Sequence, residues 1–272
     1  MNLEADVNLV FCLMDLREAE RFINPNQRGE LFPIAVERSD GSKFALCVIW
    51  LVSYKDTTCG RYTEFVLSIA VSHSKMRITG DDPASVLVIL NDDRVMFYTR
   101  ELFLNNQVAV EFGRSVHGFP KHLAHLQHVV EDGVLLHRVN QRTGGETLVE
   151  CSVTGVVSTV GTAWRTVKQA VRALGWWKTV RMIALPIKVK TITPACTESG
   201  GEPGEVLTPG DLVCGLPIFH TWRSSDHLVL SRKSKHWVGA LARTGFRPFF
   251  AVRMRAAFDL KPADPRCLDP KV

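Results

Sequence analysis

A chain of 272 residues, 46% hydrophobic and 22% charged, can build a full core and excludes disordered and fibrous classes. Its net charge of +5 is spread out, and few aromatics interleave with its densest basic run, Arg232-Lys233-Ser234-Lys235, so no nucleic-acid partner is expected. Seven cysteines, odd in number and without a CxxC pair, argue for free thiols in a reducing cytoplasm and against a disulfide framework. Glu4 and Asp6 with no basic n-region make the N-terminus unlike a secretory signal. No apolar run approaches the roughly 20 residues of a spanning helix, so a cytoplasmic protein without a membrane partner is the expectation.

Along the chain, Asp15 to Phe22 reads as a short helix capped by Asp15 and closed by Asn24-Pro25-Asn26. Phe44 to Tyr54 is apolar or β-branched at nearly every position, which predicts a strand covered on both faces. Arg61 to Ser72 and Arg94 to Leu104 are further strands, with a break at Thr79-Gly80-Asp81-Asp82-Pro83 and a turn at Asn105-Asn106. Gln107 to Val116 reads as a short helix ending before Gly118 and Pro120. Three strand-like segments fill Leu123 to Val160, with turns at Glu131-Asp132-Gly133 and Thr143-Gly144-Gly145.

A helix is expected over Ala163 to Leu174, stopped by Gly175, and Trp176-Trp177 after it reads as core or an oligomer contact. Arg181 to Thr193 and Phe249 to Leu260 read as late strands, and Glu198 to Gly204 as a flexible loop. Strands dominate and hairpins join them. The pattern predicts an α+β fold, mainly antiparallel β, in a closed, barrel-like double-layer sheet, with residues 1–272 as one domain.

One segment carries chemistry. Gly113-Arg114-Ser115-Val116-His117-Gly118-Phe119-Pro120-Lys121-His122 sets a lysine after a Gly-Phe-Pro turn among apolar residues, with an ionisable neighbour. An amine that attacks a ketone must be neutral, whereas a lysine in water (pKa ~10.4) is ammonium at pH 7. Partial burial and a nearby positive charge both favour the neutral form. Lys121 is therefore a candidate Schiff-base nucleophile. His117 stands four residues earlier, placed to hydrogen-bond a substrate oxygen; Tyr62 could donate to the same group, and Phe119 and His122 are candidate pocket residues. His122, His125 and His128 invite a zinc reading, but on a strand they do not share a face, and no acidic or cysteine ligand completes a site. No metal is expected.

Two blocks resemble the acetoacetate decarboxylase family. Gly60-Arg61-Tyr62-Thr63-Glu64 with the apolar run Phe65 to Val71 is similar to the family's Gly and Tyr-x-Glu. The stretch from Leu102 to Leu123, with Gly113-Arg114 and Pro120-Lys121, matches the segment that bears the family's imine-forming lysine. The resemblance implies that Lys121 is the nucleophile and Glu64 a proton shuttle or orienting acid. It also implies a closed, mainly β fold with the lysine in an apolar cavity, assembly into homo-oligomers, no metal and no organic cofactor.

Two positions depart from the family's decarboxylases. They carry a second lysine where this chain has His122, and that second ammonium helps to neutralise the first. They also hold the substrate carboxylate with an N-terminal arginine, where this chain runs Phe11-Cys12-Leu13 with Arg17 and Arg21 nearby. The expected function is a carbon–carbon lyase acting on a small keto acid, decarboxylase-like. An aldolase-dehydratase or a cyclase of secondary metabolism on the same lysine, and a catalytically silent protein that binds a hydrophobic ligand, are the alternatives.

Overall fold

The computed structural model describes residues 2–23, 30–79, 92–142, 145–154, 187–194, 205–214 and 218–260, with a few single positions between them. In chain order the elements are β1 (Asn2–Asp15), α1 (Leu16–Phe22), β2 (Phe32–Pro33), β3 (Ala35–Glu37), β4 (Lys43–Asp56), β5 (Tyr62–Ser72), β6 (Arg77–Thr79) and β7 (Met96–Leu104). There follow α2 (Gln107–His117), β8 (Lys121–Leu123), β9 (His125–Glu131), β10 (Val134–Asn140), β11 (Thr147–Thr154), β12 (Ile187–Pro194) and β13 (Glu205–Cys214). β14 (Ile218–Thr221), β15 (His227–Leu230), α3 (Trp237–Arg243) and β16 (Arg247–Leu260) complete the series. The α+β, mainly antiparallel expectation is the architecture found.

Twelve strands form one sheet and β15-β11-β10-β9 a second. In the large sheet β4 pairs with β1, β1 with β16, β16 with β13, β13 with β12, and β12 meets β7 in a short parallel contact. β7 pairs with β5, and the sheet curls until β5 also pairs with β4, from Cys47 opposite Ile69 to Tyr54 opposite Tyr62. The concave face is read from contacts between strands that are not neighbours. Trp50 of β4 meets Phe97 of β7 edge-on at 5.2 Å, and Tyr54 reaches Phe258 of β16 at 6.0 Å.

β1 and β4 are apolar on both faces because each face has its own core. Val7, Leu9 and Phe11 point into the curl with Val48, Trp50, Val52 and Phe250, and Phe11 stacks on Phe250 at 5.4 Å. The alternate residues Val10, Cys12, Cys47 and Ile49 pack on the convex side against Leu135, Val139, Cys151 and Val153 of the small sheet and Trp237 of α3. The strand expected over Phe44 to Tyr54 is thus covered on both faces, as its composition requires.

Asp15 caps α1 by accepting from the backbone N–H of Arg17 and Glu18 at 2.9 and 3.0 Å. At the β9–β10 hairpin, Asp132 (φ 49°) and Gly133 (φ 76°) take the left-handed conformation that a tight two-residue turn demands. The expected strands at Arg61–Ser72 and Arg94–Leu104, and three of those after Leu123, are all present within a few residues. β1, the short β2, β3 and β6, β13 to β15, and α3 were not anticipated. Trp176 and Trp177 are exposed (60% and 82%), so the core reading of that pair is corrected. The loop at residues 198–204, residues 80–83, 143–144 and 181–186, and most of the helix at 163–174 lie outside the described residues.

Burial sets the protonation of several interior groups. Cys12, Cys47 and Cys151 are free thiols buried in the convex-side core, and desolvation pushes all three up, so they remain thiols. His220 is paired with Asp226 at 2.7 Å. Burial alone would raise that carboxyl, but hydrogen bonds from Thr154, His220 and the Arg223 backbone outweigh it and hold it low.

His128 and His137 face each other across β9 and β10, with their Nδ1 atoms 3.0 Å apart. One must donate and the other accept, which requires the accepting ring to be neutral. Burial pushes His128 down to about 4 and lowers His137 as well. In the unfolded chain both take up protons near pH 6.5, so between about pH 6.5 and 4 the unfolded state holds more protons and stability falls as pH falls. Urea unfolding at pH 7, 5.5 and 4.5 should show a loss of up to about 1 kcal/mol per pH unit for each histidine. Replacing both with leucine should shrink that slope; an unchanged slope would contradict the assignment.

Candidate active site

Strand alternation puts Tyr62 and Glu64 on the same face of β5, the one turned into the curl, and both are buried. Glu64 lies opposite Val52 of β4 and Leu104 of β7. A carboxylate in such apolar surroundings requires a partner. The partner comes from β8, which adds to β7 in parallel with Lys121 opposite Leu102. Lys121 Nζ stands 3.0 Å from Glu64 Oε1, with side-chain exposures of 7% and 5%. The contact is an ion pair without the alignment of a directed hydrogen bond, since Oε1 takes none. The Phe119 and Tyr62 rings lie 5.6 and 5.8 Å from the amine, within cation–π range.

Helix α2 delivers the lysine. Asn106 caps its start, accepting from the Ala109 N–H at 3.0 Å and donating to the Cys59 carbonyl at 2.8 Å. At its end Gly118 adopts φ 65°, and the N–H groups of Gly118 and Phe119 return to the carbonyls of Arg114 and Gly113 at 3.2 and 3.0 Å. Only glycine enters this left-handed cap without penalty. Phe119-Pro120 then drops the chain onto β7, where the Leu102 N–H donates to the Pro120 carbonyl. Arg114 clamps the junction, with Nε and an η-nitrogen donating to the Lys121 carbonyl at 2.9 and 2.6 Å.

Tyr54 completes the cluster. It lies in register with Tyr62, ring centroids 4.4 Å apart, and its hydroxyl is within hydrogen-bonding reach of Glu64 and Tyr62. Burial, and then the charge of Glu64, push both phenols up, so both keep their protons. An open cleft of about 420 Å³, lined in part by Ser53, Lys55, Arg61 and Asn105, reaches these tyrosines from the surface.

The structure therefore brings together Lys121, Glu64, Tyr62 and Phe119. His117 closes the last turn of α2, buried and stacked on Phe119 at 5.5 Å. His122, the strand neighbour of Lys121, points to the opposite face. There it packs on Phe103 (5.6 Å) and on His236 (5.5 Å), which bonds Glu101 at 3.1 Å. Burial, then His236, lowers His122, so its ring is neutral at pH 7. Arg17 and Arg21 are exposed on α1, where Arg21 pairs with Glu18. Among the described residues no His, Cys, Asp and Glu cluster suits a metal ion. Tyr54, Gly113 and Arg114 were given no role from the sequence. The register of a β4–β5 hairpin would have exposed Tyr54, whereas the clamp by Arg114 needs coordinates.

Residues 39–174 match the family profile described as acetoacetate decarboxylase. No curated protein matches the chain in sequence. Solved structures share its fold at low identity. The acetoacetate decarboxylase of Legionella pneumophila subsp. pneumophila str. Philadelphia 1 is 14% identical, with TM-score 0.61 over 97% of this chain and 85% of that one. An acetoacetate decarboxylase-like enzyme from Sphingomonas wittichii RW1 is 13% identical, with TM-score 0.60 over 96% and 90%. The enduracididine biosynthesis enzyme MppR, solved with pyruvate, is 14% identical, with TM-score 0.59 over 97% and 88%.

Removing one member of a buried ion pair leaves the other charge without compensation, at roughly 3–5 kcal/mol. Glu64→Gln should lose about that much in urea unfolding, and adding Lys121→Met should recover much of it. Additive losses in the double variant would show that the two groups are not coupled.

Proposed function

The chain belongs to the acetoacetate decarboxylase family, and from that premise we propose that it is a carbon–carbon lyase that forms a Schiff base between Lys121 and a keto acid. The observation that carries this reading is the buried amine 3.0 Å from a buried carboxylate. The ammonium passes a proton to Glu64, and the neutral amine attacks the ketone carbon. Glu64 returns the proton as the carbinolamine loses water. The resulting iminium is an electron sink. In a β-keto acid, the pair of electrons from the breaking bond to carbon dioxide enters that sink and forms an enamine. Glu64, reprotonated by water from the cleft, protonates the enamine carbon; water then hydrolyses the iminium and frees Lys121.

Tyr62 and Tyr54, both protonated, donate to the carboxylate or to a substrate oxygen, and Phe119 with His117 forms an aromatic wall. The chain acts as one domain, as a homo-oligomer in the cytoplasm, with no metal or organic cofactor.

The second reading is aldol condensation and dehydration, with pyruvate as the enamine donor to an aldehyde. It is favoured by His122 standing where the family's decarboxylases carry a second lysine, and by the likeness in fold to a pyruvate-bound biosynthetic enzyme. Both reactions begin with the same imine, as would cyclisation of a polyketide-like substrate.

Borohydride reduction in the presence of acetoacetate, pyruvate and longer keto acids, followed by peptide mass spectrometry, should place an adduct on Lys121 that Lys121→Ala abolishes. Carbon dioxide release then supports the decarboxylase, and an ultraviolet-absorbing product from pyruvate plus an aldehyde supports the condensation. No adduct across the panel would overturn the enzyme reading in favour of a hydrophobic-ligand binder.

A further inference from the structure

We propose that Gly113 and Arg114 are positioning residues for Lys121, the first by leaving out a side chain and the second by holding the lysine's backbone. The inference rests on the Schiff-base reading for its consequence in catalysis, but its geometry stands apart from any substrate.

Gly113 lies inside α2, four residues before its end, in a helical stretch where alanine would favour the helix by about 1 kcal/mol. It is not a positive-φ glycine, unlike Gly118. What it provides is room. A Cβ built on Gly113 would lie 2.5 Å from both Cδ and Cε of Lys121 and 3.1 Å from Nζ. The methylenes of the lysine run directly over the bare backbone of the helix, and any side chain at residue 113 must displace them. The same stretch of helix reaches the lysine a second time, because Arg114 places two N–H donors on the Lys121 carbonyl oxygen.

Lysine has four rotatable side-chain bonds, and its amine would otherwise sample a wide volume. Here the carbonyl is held by Arg114, the middle of the side chain by the surface of Gly113, and the amine by Glu64. Attack on a carbonyl requires a near-attack distance, and a misplacement of about 1 Å lowers rates by about 100-fold. Neither residue touches the reacting atoms, so both act through Lys121.

Gly113→Ala is the direct test, with Arg114→Gln as a second variant and Ser115→Ala, on the exposed side of the same helix, as the control. Two readouts are needed. Acetylation of Lys121 by acetic anhydride across pH, followed by peptide mass spectrometry, reports the amine's position without a ketone. Borohydride trapping with pyruvate or acetoacetate reports attack. In Gly113→Ala the pH profile of Lys121 acetylation should move, because the amine leaves Glu64, and trapping should slow by about 100-fold. Arg114→Gln should move both in the same sense, and Ser115→Ala should match the wild type. Wild-type acetylation and trapping in Gly113→Ala would overturn the proposal. A wild type that traps no ketone, together with an altered acetylation profile in Gly113→Ala, would reject the Schiff-base reading and leave the positioning role standing.

Discussion

One charge pair, Lys121 with Glu64, imposes its requirements on the structure around it. Taking an ammonium and a carboxylate out of water carries a desolvation penalty of several kcal/mol per ion, and their mutual attraction repays it only in good geometry. Such a pair is a poor way to stabilise a fold, and an apolar pair of similar volume would serve as well. Under the proposed function, its place between β5 and β8, beside Tyr54, Tyr62 and Phe119, serves a proton transfer between the two groups. Such a transfer would convert two buried ions into a neutral amine and a neutral acid, the two species that imine formation needs.

The curled sheet offers the pair an apolar setting because both of its faces are covered. Residues of β1, β4 and β5 alternate between the inside of the curl and the core beneath the small sheet. The same alternation separates Lys121 from His122. The lysine enters the concave side with Glu64, while the histidine joins Phe103, His236 and Glu101 on the convex side. An ionisable neighbour in sequence is therefore not a neighbour in the site.

The sequence conveyed the strands of the sheet's middle and the chemistry of one segment well. Phe44 to Tyr54 announced a strand with two covered faces because nearly every position is apolar or β-branched, and Gly118-Phe119-Pro120 announced the end of α2. In β1, apolar residues on both faces, as in Leu9-Val10-Phe11-Cys12, erase the period-2 signal of a strand. The short β2 and β3 are held by pairing with the longer β5 and β4, and β6 by pairing with β3, which no local pattern records. In the candidate site, Lys121 was picked out by its local segment and Glu64 by the resemblance to the family's Tyr-x-Glu. Tyr54 depended on the hairpin register, and the approach of Gly113 to the lysine's methylenes depended on tertiary packing alone.

The central claim is that Lys121 bonds covalently to a carbonyl carbon. Imine formation expels the carbonyl oxygen as water, so a ketone labelled with oxygen-18 should lose its label to solvent whenever it visits the site, whatever its later fate. Mass spectrometry of labelled acetoacetate and pyruvate should show label loss well above the uncatalysed rate with the wild type, and at the uncatalysed rate with Lys121→Ala. Product formation with the label retained in the ketone oxygen, or label loss that persists without Lys121, would contradict the account.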